Sequence, residues 1–308
     1  MKRVNLEMVK GFKKVGTHNG VFHGDDVFAS AILLSINKDL EIVRSRNDKD
    51  LSDCDMIYDV SLSNEVGSYD HHFEGRELRP NGIPYSSAGL IWRDLGEDYL
   101  SDIIDFSISQ EDIHGLWEKI DHNIIEGVDA IDNGVDCQGK YDMLSVSKII
   151  SYFTPSWEEG LSKIDSIFFD TVSYVCELWN IIIEKELSSL RAKSIVKEAY
   201  DNSTDGILVL PRFVPWKELL LNIDVNKKIK FATYNDGRQQ NLYCTPKEIG
   251  KNENIIDIPE PWRGKNGEEL SIITGVNDCV FCHIGGFMIA HKNLEGCLKL
   301  AKKIMEVD

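Results

Sequence analysis

Lys14-Val15-Gly16-Thr17-His18-Asn19-Gly20-Val21-Phe22-His23-Gly24-Asp25-Asp26 is the stretch on which the fold turns. Lys14 to His18 reads as a short strand, Asn19-Gly20 as a turn, and Asp25 to Ile36 as the helix that follows. Working outward, Glu41 to Arg46 (EIVRSR) and Met56 to Val60 (MIYDV) are two more strand candidates, each bounded by Asn, Asp and Ser. Ser86 to Leu95 (SSAGLIWRDL) carries a serine N-cap and an apolar 3.6-residue period, with Gly96 expected as its stop. Strands alternating with helices predict an α/β fold with a doubly wound, mostly parallel sheet.

Further along, Glu111 to Gly127 and Val146 to Tyr200 read as helical, and Ile164 to Tyr200 is one amphipathic stretch without proline or glycine. The run DNSTDG from Asp201 to Gly206 breaks it and reads as a linker. Strands are expected again at Ile207 to Leu210, Ile229 to Tyr234, Leu242 to Thr245 and Cys279 to His283, with a closing helix from Asn293 to Val307. The expected organisation is therefore two domains, residues 1–205 and a smaller α/β domain at 206–308.

Composition narrows the function. The 308 residues carry a net charge of −17, which argues against gripping nucleic acid by bulk electrostatics. The acid surplus is local: 20 Lys and Arg stand against 38 Asp and Glu before residue 206, and 14 against 13 after it. Uncharged apolar runs such as Ala29 to Ile36 fall short of the ~20 residues of a membrane span, so no membrane is expected. The first residues, MKRVNLEMVKGFKK, are basic without an apolar core, unlike a signal peptide. Seven cysteines without a framework suit a reducing compartment. The cytoplasm is the first expectation. The basic residues Lys2, Arg3, Lys10, Lys13 and Lys14 pull toward mitochondrial import and Glu7 pulls against it, with the nucleus as a further alternative.

Chemistry concentrates in two segments. His18, His23, Asp25 and Asp26 fall within nine residues, beside a turn and at a helix N-terminus. Tyr69-Asp70-His71-His72 is the second, and between them Asp59 closes an otherwise apolar strand, where a charge demands a partner or a metal. Ligands of open α/β sheets collect at the carboxyl ends of strands, where all three features are predicted. Mixed histidine and carboxylate ligation without cysteine favours Mn²⁺ or Mg²⁺, and two such ions can clamp both oxygens of a phosphoryl transfer. There is no Walker loop, G-x-S-x-G or H-E-x-x-H. Cys279-Val280-Phe281-Cys282-His283 spells the haem-attachment pattern, but small buried cysteines on a strand explain it better.

Tyr69-Asp70-His71-His72 resembles the signature of the DHH phosphoesterases. THNGVFHGDD, IVRSR, SSAGLIW, DAIDNG, LVLPRFVPWKELL, IPEPWRG and CVFCHIGGF resemble its melanocyte-proliferating-gene branch, across roughly residues 14 to 300. That branch is described as a 3′–5′ RNA exonuclease and carries an older label of metal-dependent protein hydrolase. Position by position, the resemblance implies metal ligands at His18, His23 and Asp25 from the first motif and a bridging Asp59 from the second. Asp70 and His71 come from the third, and Asp132 from the fourth with Asp129 as its competitor. Asp26 stands where the branch usually has Glu. With His72, His283 and Arg263 it makes up the expected catalytic set. Gly285, Gly286, His291 and Arg263 are the expected phosphate contacts of the C-terminal domain, although Ile289-Ala290 replaces a usual glycine pair before His291.

The implied function is a two-metal phosphodiester hydrolase, a 3′–5′ exoribonuclease acting through a metal-activated water. Single-stranded RNA or a short oligonucleotide is its expected partner, and the oligomeric state stays open, a homodimer included. The rivals are a hydrolase of pyrophosphate or short oligonucleotides, and a metal-binding regulatory protein without turnover.

Overall fold

Residues 3–62, 69–135 and 145–307 are described by a computed structural model; Lys2 of the basic N-terminal run lies outside them. The chain divides into two units, Met1–Glu186 and Leu187–Asp308. The division falls inside a single long helix, whereas the sequence pattern marked only that helix's end.

The first unit opens with a short helix α1 (Leu6–Gly11) that the sequence pattern did not announce. Three parallel strands follow, β1 (Lys14–Thr17), β2 (Glu41–Arg44) and β3 (Met56–Ile57), in the order β2-β1-β3. Helix α2 (Gly24–Ile36) connects β1 to β2, and the short α3 (Asp48–Leu51) precedes β3. The chain thus leaves β1 to one side and returns across it to the other. The carboxyl end of β1 is a topological switch point, the place where such sheets gather ligands. Nearly all of α2 is buried, Asp25 through Leu33 included, which marks it as a central helix rather than an amphipathic surface one.

Helix α4 runs from Ser87 to Ile103, capped by the Ser86 side chain at Gly89 N, and it passes straight through Gly96. That glycine is there for packing. A Cβ on it would lie 2.6 Å from Cδ2 of Trp92, whose ring meets Trp179 edge-on at 5.1 Å. Gly96→Ala should therefore lower stability by ~1–3 kcal/mol through overpacking. In an open helix the same change would stabilise by about 1 kcal/mol. The sign of the shift in thermal unfolding decides between the two.

Helices α5 (Gln110–Ile120) and α6 (Glu126–Asp132) are joined by one π-helical turn, Asp121–Ile125. Beyond α7 (Val146–Ser151) the chain breaks at Thr154-Pro155, so the predicted helix from Val146 to Tyr200 is two helices. The second, α8 (Ile164–Asp201), buries Ile164, Phe168, Val172, Val175, Trp179 and Ile183 in one stripe. By length and composition alone α8 could cross a membrane. In the first unit that stripe is core, with Phe28 and Trp92 packed on Trp179.

The second unit is built on a mixed sheet ordered β4-β5-β6-β8-β7, from β4 (Ile207–Val209), β5 (Phe231–Asn235), β6 (Gln240–Cys244), β7 (Cys279–Cys282) and β8 (Met288–His291). Only β4 and β5 are parallel. Alternate strand residues feed two cores. Ala232 and Tyr234 join Val196 of α8, Trp216 and Leu220 of α9 (Lys217–Ile223). Phe231 and Leu242 join Leu270 of α10 (Gly267–Thr274) and Leu300 of α11 (Leu294–Val307). Cys279 and Cys282 are buried in the second core, and six described cysteines are free thiols, consistent with the packing reading of C-x-x-C.

Candidate metal centre

Three chain segments meet where β1 and β3 end. His18 follows β1, and α2 starts six residues later with Asp25 and Asp26 in its first turn. The positive end of the α2 dipole lowers the cost of burying those two carboxylates. After β3, Tyr58 still donates to the Gly16 carbonyl at 2.9 Å. Asp59 then turns out of the sheet at φ 53°, a left-handed conformation that a side chain rarely adopts without compensation. A short parallel bridge pins it: Tyr69 N donates to the Ile57 carbonyl and Asp59 N to the Tyr69 carbonyl, each at 3.2 Å. That bridge brings residues 70–72 alongside Asp59.

The side chains form three overlapping groups whose potential ligand atoms lie within 4.8 Å of one another. They are His18, Asp26 and Asp59; Asp25, His71 and Asp132; and Asp59, His71 and His72. Asp59 faces both histidines, with Oδ2 3.2 Å from His18 Nε2 and Oδ1 3.3 Å from His71 Nε2. His71 Nε2 also lies 3.3 Å from Asp25 Oδ2 and from Asp132 Oδ2. Apart from His72 and the partly exposed Asp132, every member is buried.

Neighbours set these groups for ligation. The Asn19 carbonyl can only accept, so at 3.1 Å it receives the His18 Nδ1 proton and leaves Nε2 facing Asp26 and Asp59. Asp25 is held by the start of α4, accepting from Ala88 N at 2.6 Å and Ser87 N at 3.1 Å. Yet Asp26 Oδ2, Asp59 Oδ1 and both nitrogens of His71 are buried without a hydrogen bond. Polar atoms in that condition are destabilising unless something polar meets them.

The charges are equally poised. Burial drives the Asp26 carboxyl up to about 8 against the pull of His18. Burial, with Asp25 nearby, likewise raises Asp132 to about 7. Burial also pushes against the charged form of Asp59, but His18 and His71 overcome it and hold that carboxyl well below the usual range. For His71, burial is outweighed by Asp25, Asp59 and Asp132, which lift it to about 10. Surplus buried acid converging on two imidazoles fits divalent cations, so these groups could hold metal ions.

Of the other residues expected here, His23 is exposed at the N-cap of α2, its ring 6.3 Å from that of His18, and joins none of the three groups. Asp70 also stays out. It accepts from His72 Nδ1 at 2.9 Å, His72 N at 3.1 Å and the Ser61 hydroxyl, so it orients His72 instead. Between the two fourth-motif candidates, Asp132 reaches His71, while both oxygens of Asp129 are taken by Ser86 and Arg79. Nothing in the spacing pointed to Ser87 and Ala88 as donors, although a serine-capped helix N-terminus is a natural anion cradle.

In the second unit the β7–β8 turn holds His283, Gly285 and Gly286. Gly285 N donates to His283 Nδ1 and Gly286 N to the His283 carbonyl, both at 3.0 Å. Those two amides are therefore engaged inside the turn, contrary to the expectation that they bind phosphate. The Gly285 bond makes Nδ1 the acceptor, which leaves the His283 proton on Nε2. Gly286, at φ 70°, also lets Arg263 pass over it, since a Cβ there would meet Arg263 Nε at 2.4 Å. His291 does not join them. Strand register puts it opposite Cys279, at the other end of β7, and its buried ring is engaged by the Asn277 carbonyl at 2.6 Å and by Asn293.

Residues 14–305 match the family model MYG1_exonuc, described as "Uncharacterised protein family (UPF0160)". The chain is 32% identical over 335 residues to MYG1 protein YER156C of Saccharomyces cerevisiae, covering 98% of each. It is 30% identical to MYG1 protein C694.04c of Schizosaccharomyces pombe, over 95% of this chain and 97% of that one. With the MYG1 exonuclease of Homo sapiens it shares 31% identity over 94% of this chain and 85% of the human protein. No solved structure matches. A buried histidine and carboxylate cluster lies inside a stretch matched almost end to end, and the chain belongs to the MYG1 exonuclease family.

Proposed function

We propose that this chain is a divalent-metal-dependent phosphodiester hydrolase, a 3′–5′ exoribonuclease working with two Mn²⁺ or Mg²⁺ ions. One observation carries the reading: Asp59 offers one oxygen toward His18 and the other toward His71, so a single carboxylate joins two ligand groups. The human relative is named an exonuclease, which supports it. In this proposal the first unit is a DHH-type metal domain and the second a substrate-binding domain. His18, Asp26 and Asp59 would hold one ion, and Asp25, His71, Asp132 and Asp59 the other.

Ions bound there supply Lewis-acid charge and water of lowered pKa for in-line attack on a phosphodiester. The protein's own groups do the rest. His72 is oriented by Asp70 and presents an exposed ring beside the cluster, and Asp70 together with other neighbours holds its pKa above the ordinary value. A cationic imidazole so placed neutralises a non-bridging phosphate oxygen as charge builds on it. In the second unit His283 offers its Nε2 proton and Arg263 its guanidinium to phosphate oxygens along the strand.

The test compares a 5′-labelled single-stranded RNA, dinucleotides and pyrophosphate, each with manganese and with chelator. Stepwise shortening of the RNA from its 3′ end, abolished by chelator, is the expected result. Preference for pyrophosphate would make the chain a small-phosphate hydrolase, and manganese binding without turnover a regulator. In the same assay His283→Ala and Arg263→Ala should leave manganese binding intact while hydrolysis falls by roughly 10–10²-fold, His283 acting on kcat and Arg263 on KM as well. Loss of metal binding in either folded variant would contradict the separate roles given to the two units.

A further inference from the structure

We propose that Arg79 is a positioning residue for one half of the metal centre, the group of Asp25, His71 and Asp132, and not for the group of His18, Asp26 and Asp59. The inference rests on the metal reading above and adds a residue that neither motif nor spacing singled out.

Arg79 lies in the segment that follows His71-His72, and its guanidinium is buried. Nε donates to Asp129 Oδ2 at 2.6 Å, while Nη1 and Nη2 donate to the two oxygens of Asp121 at 2.5 and 2.9 Å. The Tyr85 ring lies 4.7 Å below the guanidinium carbon. Asp121 and Asp129 are eight residues apart along a helical run. In an unbroken α-helix that spacing turns them about 80° apart. The π-helical turn at Asp121–Ile125 adds one residue to the winding and brings them within about 20° of one face. The unusual turn thus lets one arginine take both carboxylates.

From Asp129 the constraint runs two ways. Its Oδ1 accepts from Ser86 N at 3.0 Å and from the Ser86 hydroxyl at 2.6 Å. Ser86 caps α4, whose next two amides, Ser87 and Ala88, hold Asp25. Gly89 leaves room for this approach, since a Cβ there would sit 2.3 Å from the Asp129 carboxylate. In the other direction Asp129 belongs to α6, which ends at Asp132. Two further contacts bolt the same segment to α6 and its C-cap: Arg76 to Asn133 at 2.7 Å and Asn81 to Glu126 at 2.8 Å. Asp25 and Asp132 are the two carboxylates that share His71 without contacting His18. Neither His18, Asp26 nor Asp59 bonds to this lattice. A metal group defined by carboxylates on two different helices needs those helices held in register, and Arg79, by fixing the Asp129 carboxylate that bonds Ser86, is one link between them.

Manganese titration calorimetry on the full chain tests this, with wild type, Arg79→Met and Arg79→Lys side by side and thermal unfolding run on each. Wild type should bind two ions. Arg79→Met should keep one binding event unchanged and weaken the other by about tenfold or more, and Arg79→Lys, which keeps the charge without the fork, should weaken that same event less. A residue that merely stabilises the fold would lower the unfolding temperature and move neither event, or both together. Either pattern in a folded variant overturns the proposal. If Arg79→Met does not fold, Arg79→Lys alone decides by the same criterion. Wild type that binds no manganese would instead overturn the metal reading, leaving the two failures distinct.

Discussion

Asp59→Asn is expected to abolish manganese-dependent hydrolysis, by ~10³-fold or more, while the protein still folds. The substitution keeps the shape of the side chain and removes one charged oxygen from between His18 and His71. Asparagine tolerates left-handed backbone better than most residues, so the φ of 53° at this position does not penalise it. The bridge between Tyr58 and Tyr69 uses backbone atoms alone and survives the change. What is lost is charge shared by two ligand groups, so both manganese binding events should weaken together. Variants of Asp26 or Asp132, each in a single group, should weaken one. Calorimetry and RNA hydrolysis on the same preparation read both consequences. Near-wild-type turnover would take Asp59 out of the chemistry. Loss of turnover with both binding events intact would leave it a role other than holding ions.

The first unit was legible because its chemistry is compressed into strand ends. The strand, turn and helix from Lys14 to Ile36 and the strand before Asp59 are local patterns, and they coincide with β1, α2 and β3. Asp59 stood out for one physical reason, a charge at the end of an apolar strand. The stretch from Met56 to Val60 nonetheless yields only two strand residues, because the chain leaves the sheet at Asp59. Gly96 misled for a related reason. A glycine inside an apolar period looks like a stop until the Trp92 ring that needs its space is known, and that ring is a tertiary fact.

Longer-range arrangements left weaker traces. Asp129 and Asp132 sit on one helical turn, and only the positions of Ser86 and Arg79 separate a structural carboxylate from one facing His71. The glycines before Phe287 resembled a phosphate loop, yet their amides turn inward onto His283. His291 resembled its partner histidine until the antiparallel register carried it to the far end of β7. The DNSTDG run marks the end of α8 correctly, but the two units divide within that helix, where composition does not change. In each case the deciding contact is made by residues far apart in the chain.

The adjacent histidines give the sharpest contrast. His71 is buried and belongs to two of the three ligand groups, facing Asp25, Asp59 and Asp132. Its removal strips a shared nitrogen from Asp25, Asp59 and Asp132, so His71→Ala should lose manganese affinity and ~10³-fold or more in hydrolysis. His72 sits at the open edge of the cluster: its side chain is 62% exposed, and its Nδ1 is tied to Asp70 at 2.9 Å and lies 3.4 Å from Asp59 Oδ1. His72→Ala should therefore bind manganese nearly as wild type does while kcat falls by about 10²-fold, the loss expected for one donor to developing charge. The pH profile adds a second readout. Asp70 in particular raises the His72 pKa, so its protonated form persists to higher pH than in a free imidazole and is lost as pH rises through that raised value. Wild-type kcat should fall along that alkaline limb, and the limb should vanish in His72→Ala. Asp70→Asn, which acts through His72, should move the limb to lower pH without removing it. Equal loss of metal affinity in His71→Ala and His72→Ala would mean that both rings are ligands, leaving the phosphate contact to be found elsewhere.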